Sequence, residues 1–578
     1  MREKRAKIVP MLKIKSQIAS VLAEKMKAIN PDSPAAQEIA NMLEYPPDAA
    51  MGDLSLPCFK LSKLLRRSPV QIAEMLADGF ESPCVSQAST INGYLNFNIS
   101  DEYLAAAVVP EVLEKGEKYG APTMGQGKTV VLDYSSPNVA KPFHIGHLGT
   151  TVIGHSLKKL HEFAGYKCVG INYLGDWGTQ FGKLIVAYRK WGNMETVEAG
   201  GVDGLVELYV KFHAEAENDK ALEDEARAEF TKLEHGDEEN LALWRWFVEI
   251  SLKEYKKTYD LLGIEFDSYK GESFYTDKMP AQVQLLRDKN LLKIDDGASI
   301  VDLEEYNMPP CLILKRDGST LYPTRDIAAA VYRKGEYKFD KAIYVTSAGQ
   351  SLHFAQWFKV VEMMGYDWYN QLVHVPYGTV SINGAKLATR TGNVILLRDL
   401  FAMAIEKVSD IIDQKNPNLE NKEKVAEDVG VGAIIFYYLS NNRIKDINFV
   451  MEDALSFDGN TGPYVQYTYA RTCSILSKNG GESDGKVIIA TPEERNLALA
   501  LSRFEERVCD AIDSYEPSVI TRYILDVAVA FNQFYHNCPI LGAQDEATKA
   551  SRVKLTAAAK TVLGNAFELI CLKKTEKI

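Results

Sequence analysis

The sequence predicts an α/β protein built on a doubly wound parallel sheet with a helical insertion. A small α+β domain precedes the sheet and an all-α helical bundle follows it. Three observations carry this prediction. Apolar strands alternate with amphipathic helices between about residues 125 and 400, the pattern of a parallel sheet covered on both faces. The alternation breaks between about 190 and 310, where residues 214–262 are helical and highly charged. From about 405 onward the apolar periodicity is almost wholly helical.

Taken in order, residues 1–115 hold helices at 14–26 and 61–76, the second broken at Pro69, and a strand at 93–98. Strands of the sheet are expected at 130–134, 170–174, 342–346 and 372–375 within a domain spanning 116–405. In the insertion, Leu241, Val248, Leu252, Tyr255 and Tyr259 fall at helical spacing, and the run Glu223-Asp224-Glu225 reads as a solvated helix face. A helical connector occupies 406–455. The C-terminal bundle occupies 456–578, with helices at 497–509 and 519–535 and a loop at 480–485.

Composition narrows the class. At 578 residues, 46% hydrophobic and 25% charged, the chain suits three or four globular domains. The longest apolar run, 429–439, is too short to span a membrane. The basic start from Met1 to Lys7 is followed by no secretory apolar core. Eight scattered cysteines with no C-x-x-C pair support neither a zinc site nor a disulfide framework, so a reducing, cytoplasmic setting is expected. A net charge of −12 argues against nonspecific nucleic-acid coating but leaves room for a specific RNA bound on one basic face.

The most informative segment joins the first strand of the sheet to a helix. Strand 130–134 runs into Ser135-Ser136-Pro137-Asn138, then Lys141-Pro142-Phe143-His144-Ile145-Gly146-His147, then a helix with Leu148, Val152, Ile153, Leu157, Leu160 and Phe163 on its apolar face. Free N–H groups and the helix dipole favour phosphate at such a start, and Gly146 allows a flat nucleotide to approach. A basic, glycine-punctuated stretch, Lys386-Leu387-Ala388-Thr389-Arg390-Thr391-Gly392-Asn393, follows the last strand and could close over a polyphosphate. Gly127-Lys128-Thr129 is a decoy. It precedes the strand, and Pro122 stands where a P-loop needs glycine.

These two segments resemble the HIGH and KMSKS signatures of class I aminoacyl-tRNA synthetases. The wider words resemble the arginyl-tRNA synthetase family: 135–141, 172–178, 321–326, 389–393 and 461–467, in order along nearly the whole chain. The resemblance implies a Rossmann-like catalytic domain, an N-terminal domain touching the tRNA D-loop and a C-terminal anticodon-binding domain. It implies arginine activation by ATP, with Mg2+ on the ATP phosphates, and transfer to tRNA(Arg). It implies a monomer, while the cysteine spacing and the short apolar runs speak against zinc and a membrane partner.

By resemblance His144, Gly146, His147, Lys386 and Arg390 meet ATP, with His144, His147, Lys141 and Lys386 serving catalysis. A second loop lysine is missing here, and Lys141 stands where family members place a substitute; a solvated loop lysine is its rival reading. Asp133, Asn138, Tyr322, Asp326 and Gln350 would hold arginine, whose guanidinium has five donors and no acceptor. Asp133, buried at a strand end, asks for a cation that substrate arginine would supply. Asp326 also fits a helix N-cap. Tyr94 and Asn96 would meet the D-loop, although Tyr94 and Phe97 fit a core strand equally well. Tyr464 and Gln466, with Tyr467, Tyr469 and Arg471, would form a polar-aromatic face for unstacked bases.

Three positions depart from the family pattern: Gly149 for arginine, His155 for aspartate and Ala388 for serine. The ending, 571–578, also departs. Rival functions are a class I synthetase of another specificity, or a synthetase-like RNA-binding protein without catalysis.

Overall fold

A computed structural model describes residues 10–382, 385–386, 395–481 and 483–578. The N-terminal domain is a three-stranded antiparallel sheet in the order β1 (Leu54–Pro57), β3 (Tyr94–Ile99), β2 (Val85–Ile91), packed with helix Pro10–Lys27 and helix Pro69–Ala77. The break expected at Pro69 is real. Pro69 takes the first helical turn, where its missing N–H costs nothing, and Ser68 caps the helix by accepting from the Gln71 N–H. Strands β1 and β2 escaped the sequence reading. All four residues of β1 are buried, so it shows no alternation, and β2 is mostly polar.

The central sheet is wholly parallel, in the order β10 (Leu372–Tyr377), β9 (Lys341–Ser347), β4 (Thr129–Asp133), β5 (Lys167–Ile171). Chain direction sets the site. From β4 the chain crosses to β5 on one side, then returns to β9 on the other. The strand order therefore reverses between β4 and β9, and a crevice opens at their carboxyl ends. The second strand begins and ends three residues earlier than expected, because Asn172 leaves the sheet to bond the Ser268 carbonyl.

Four helices fill the insertion: Thr179–Trp191, Met194–Ala216, Ala221–Glu234 and Glu238–Leu262. A small antiparallel sheet then follows, β6 (Leu292–Asp295), β7 (Ala298–Val301) and β8 (Cys311–Leu314), which the sequence reading did not separate from the insertion. The helical reading beyond 405 needs one correction. Strand β13 (Ile447–Phe449) pairs in parallel with β11 (Val380–Ile382), whose other neighbour is β12 (Ala385–Lys386). The helix expected at 497–509 is two, Pro492–Ser502 and Phe504–Ser514, meeting at Arg503. Arg495 forks onto both oxygens of Asp53 at 3.0 and 2.6 Å and reaches Asp101 at 2.7 Å, joining the bundle to the N-terminal domain.

No helix among the described residues is long and apolar enough to cross a membrane. All eight cysteines are free.

His155 lies behind the crevice on helix Leu148–Phe163. It is 3% exposed, with Nδ1 at 3.2 Å from the Tyr134 hydroxyl. Burial, then Lys159, Lys158 and Lys573, pushes its imidazole down to about 3. The unfolded chain therefore takes up this proton more readily than the folded one. The stability it contributes is present above about pH 6.5 and lost as pH falls from there towards 3. At about pH 5 the loss from this one group is about 2 kcal/mol. Urea unfolding should show that decline, with a shallower slope in His155→Gln.

Candidate functional site

The turn after β4 is held in an unusual backbone. Ser135, Ser136 and Ala140 all have left-handed φ, at 71°, 47° and 59°. Such residues persist only where the surroundings fix them. Here the Ser135 N–H donates to Thr150 Oγ1 at 3.0 Å, and Ser135 Oγ lies 2.8 Å from the Tyr259 hydroxyl. Tyr255, one turn earlier on the insertion helix, donates to the carbonyls of Asn138 and Lys141 at 2.7 and 2.8 Å. The two tyrosines, at helical spacing in the sequence, thus brace the site from outside the sheet.

The rings of His144 and His147 lie 4.0 Å apart, tilted by 41°. The Gly146 N–H donates to His144 Nδ1 at 3.1 Å, and the His144 N–H donates to His147 Nδ1 at 3.2 Å. Each Nδ1 is thereby an acceptor, so each neutral ring carries its proton on Nε2. Burial and nearby Lys141 lower the His144 pKa; burial, then His144, pushes His147 down to about 3. The pair offers two uncharged Nε2–H donors. A Cβ at position 146 would sit 2.8 Å from the His144 ring, so the glycine makes room for that imidazole. Lys141 is exposed and forms no ion pair among the described residues.

The chain just past the second signature meets the first through the backbone. Ile145 N–H donates to the Ile395 carbonyl at 3.2 Å, and Leu397 N–H donates to the Phe143 carbonyl at 3.0 Å. Upstream, the backbone of Lys386 lies in β12 beside β11. The intervening segment 387–394, including Arg390, and the Lys386 side chain lie outside the described residues.

In the crevice between β4 and β9 lies a cavity of about 500 Å³. Asp133, Asn138, Tyr322, Asp326 and Gln350 all line it, together with His147. Two expectations are corrected. Asp133 does not wait for a substrate cation: Arg333 Nη1 donates to its Oδ2 at 2.7 Å, and Ser136 Oγ donates to Oδ1 at 3.0 Å. Asp326 is no N-cap. Helix Tyr322–Tyr337 is capped at Leu321, which puts Asp326 in its second turn, where His353 Nε2 lies 2.6 Å from Oδ2.

Glu272, Arg333 and His353 were missed. Glu272 pairs with Arg325 at 2.8 Å, and burial pushes it up to about 7 against the pull of that guanidinium. Arg333 could have been found, since Asp326, Ala329 and Arg333 share one helix face and all line the cavity. Nothing in the local sequence signals Glu272. Among the described residues there is no group of three metal-capable side chains.

Comparison with known proteins decides the family. Residues 108–451 match the family model for the class I (R) tRNA synthetase catalytic domain, 12–99 the arginyl tRNA synthetase N-terminal domain and 465–578 the DALR anticodon-binding domain. The arginine–tRNA ligase of Alkaliphilus metalliredigens is 50% identical over 577 residues, covering 98% of this chain and 100% of that protein. This chain belongs to the arginyl-tRNA synthetase family. The Clostridioides difficile arginine–tRNA ligase is 49% identical at the same coverage. The solved Thermus thermophilus arginyl-tRNA synthetase superposes with a TM-score of 0.84 at 26% identity, covering 98% of this chain and 100% of that one. The architecture read from the sequence is the one these relatives carry.

Within the arginyl-tRNA synthetase frame, one departure now has a cause. A Cβ at Gly149 would lie 2.2 Å from the Tyr438 hydroxyl and 3.0 Å from the Tyr377 ring, so no arginine fits there; Tyr438 takes the space. Ala388 lies outside the described residues.

Two residues expected to read RNA are buried instead. Asn96 is 1% exposed, on the central strand of its sheet, and accepts from Ser55 Oγ at 2.7 Å. Gln466 is 0% exposed and donates to the carbonyls of Asp428 and Lys573 at 3.2 and 3.1 Å, fastening the C-terminal tail. Tyr469 is buried as well. Tyr94 is half-buried, edge-on to exposed Phe59 at 5.3 Å. Tyr464 accepts from Asn532 at 2.9 Å. The open face of the bundle is Arg471 between the rings of Tyr467 and Tyr535, at 5.0 and 4.7 Å.

Proposed function

We propose that this member of the family joins L-arginine to tRNA(Arg) in two steps, using ATP that brings Mg2+ on its phosphates. In the first, an arginine carboxylate oxygen attacks the α-phosphorus; a new P–O bond forms, the bond to the β-phosphate breaks, and pyrophosphate leaves. In the second, the 2′-hydroxyl of the terminal adenosine attacks the acyl carbon, loses its proton and expels AMP.

The observation that carries this reading is the charge pattern of the cavity. Of the three acidic groups, Asp133 and Glu272 each hold an internal guanidinium, and among the described residues Asp326 bonds only an imidazole. A single cationic side chain completes the set. Asp326 is its receptor, with Tyr322, Asn138 and Gln350 supplying oxygens around it. His147, on the same wall, and His144 beside it donate Nε2–H to phosphate oxygens as charge develops. Lys141 adds a mobile cation whose field both imidazoles feel. Lys386 and Arg390 steady the leaving pyrophosphate, a role that rests on resemblance. Catalysis of this kind is positioning and charge stabilisation, without a covalent enzyme intermediate.

On the RNA side, Tyr94 stacks on a D-loop base, and Tyr464 helps hold a bundle face that meets the anticodon with Tyr467, Arg471 and Tyr535. The eight free cysteines support work in a reducing cytosol.

ATP–pyrophosphate exchange tests the reading, with each amino acid in turn and with or without tRNA(Arg). Exchange with arginine alone, requiring tRNA, is expected. Exchange with another amino acid would refute the specificity, and no exchange under any condition would favour a non-catalytic RNA-binding role.

A further inference from the structure

Arg333 is a guanidinium already resident in a pocket that receives guanidinium. Its side chain is 1% exposed and bonds Asp133 at 2.7 Å. The rings of Tyr173, Tyr275 and Tyr344 surround it at 5.0, 5.7 and 5.8 Å. Its Nε and Nη2, and the hydroxyls of Tyr173 and Tyr344, make no well-aligned hydrogen bond among the described residues, although the Tyr275 and Tyr344 hydroxyls lie near enough to feel the guanidinium. Stability alone is a weak explanation for such an arrangement, because a buried ion pair is often no more stable than an apolar pair of the same volume. Arg325 and Glu272 repeat the device at 2.8 Å, with Glu272 also lining the cavity.

We propose that Arg333 is a specificity-determining residue: it is the fixed counter-ion of Asp133, and its presence leaves the cavity one guanidinium site, at Asp326. This rests on the cavity being the arginine pocket. Without Arg333, Asp133 at the end of β4 becomes a second carboxylate competing for the substrate's side chain. Arginine would then bind in two registers, one of which carries its carboxylate away from the ATP phosphates.

Chemical rescue tests this. Arg333→Ala leaves a guanidinium-sized hole, and its kcat/KM for arginine in pyrophosphate exchange should fall on the order of 100-fold. Millimolar guanidinium should recover about tenfold of that loss while only inhibiting the unaltered enzyme. Arg333→Met fills the hole, so it should lose activity without rescue. The neutral pair Asp133→Asn with Arg333→Met restores the count of one open carboxylate and should outperform Arg333→Met alone. That comparison carries the test if Arg333→Ala does not fold.

Arginine kinetics of Arg333→Met within about twofold of the unaltered enzyme would overturn the proposal. So would a folded Arg333→Ala that guanidinium does not rescue, or a double variant no better than the single. Exchange of the unaltered chain with an amino acid other than arginine would instead overturn the pocket reading, whatever Arg333 does.

Discussion

Asp326→Asn should raise the arginine KM on the order of 100-fold to 1000-fold while the ATP KM changes little. The size follows from what would be left behind. Among the described residues Asp326 is the one cavity carboxylate without a guanidinium of its own, held by His353 through Oδ2. That leaves Oδ1 and the carboxylate charge for the substrate. The asparagine variant keeps the shape but removes the charge, and its NH2 would face guanidinium donors with nothing to accept. A desolvated substrate cation is then unpaired, which costs about 3–5 kcal/mol in similar buried settings. Substrate-dependence curves in pyrophosphate exchange separate the two constants. Equal rises for arginine and ATP would show that Asp326 shapes the crevice generally and does not receive the side chain. Folding is a lesser risk here than at Asp133, since Asp326 is partly exposed and caps no helix.

Much of this site was legible because its residues sit where chain geometry changes. The switch from a short, continuous apolar run to a 3.6-residue period brackets the turn after β4, and the histidines open the helix that follows. The arginine-pocket residues, spread from Asp133 to Gln350, converge because three of the four carriers are carboxyl ends of β4 and β9 and the first turns of the helix that precedes β9. What was not legible was pairing. Asp133 was read as a charge in need of a cation, which is correct chemistry, but the cation stands 200 residues away on a face of Ala-rich helix that looks like simple packing. Asn96 and Gln466 failed for a related reason. A polar residue flanked by aromatics reads as a contact face, yet the pleat of β3 turns Asn96 onto Ser55, and the helix carrying Gln466 is covered on both sides by neighbours. Sequence carries the identity of a polar side chain more readily than the direction it faces.

The other large effect belongs to His147. His147→Ala should lower kcat for pyrophosphate exchange on the order of 100-fold to 1000-fold, or about 2.7–4 kcal/mol, with the arginine KM nearly unchanged. The histidine is positioned before any substrate arrives: its Nδ1 is occupied by the His144 N–H at 3.2 Å, so Nε2–H is the group left to donate. A donor fixed in this way strengthens as phosphate charge grows and needs no reorganisation, which places its effect in kcat. Asparagine retains an N–H donor, so His147→Asn should keep more activity than alanine. The pH profile supplies a second check. Burial and His144 push His147 down to about 3, so the ring is neutral through the working range and its protonation does not limit the rate between about pH 6 and 8. If the unaltered enzyme instead shows an inflection near the ordinary histidine value of about 6.5 that His147→Ala removes, the charged imidazolium is the active form. The neutral-donor account of the pair would then have to be abandoned, because a cation at His147 would stand against Lys141 in the same corner.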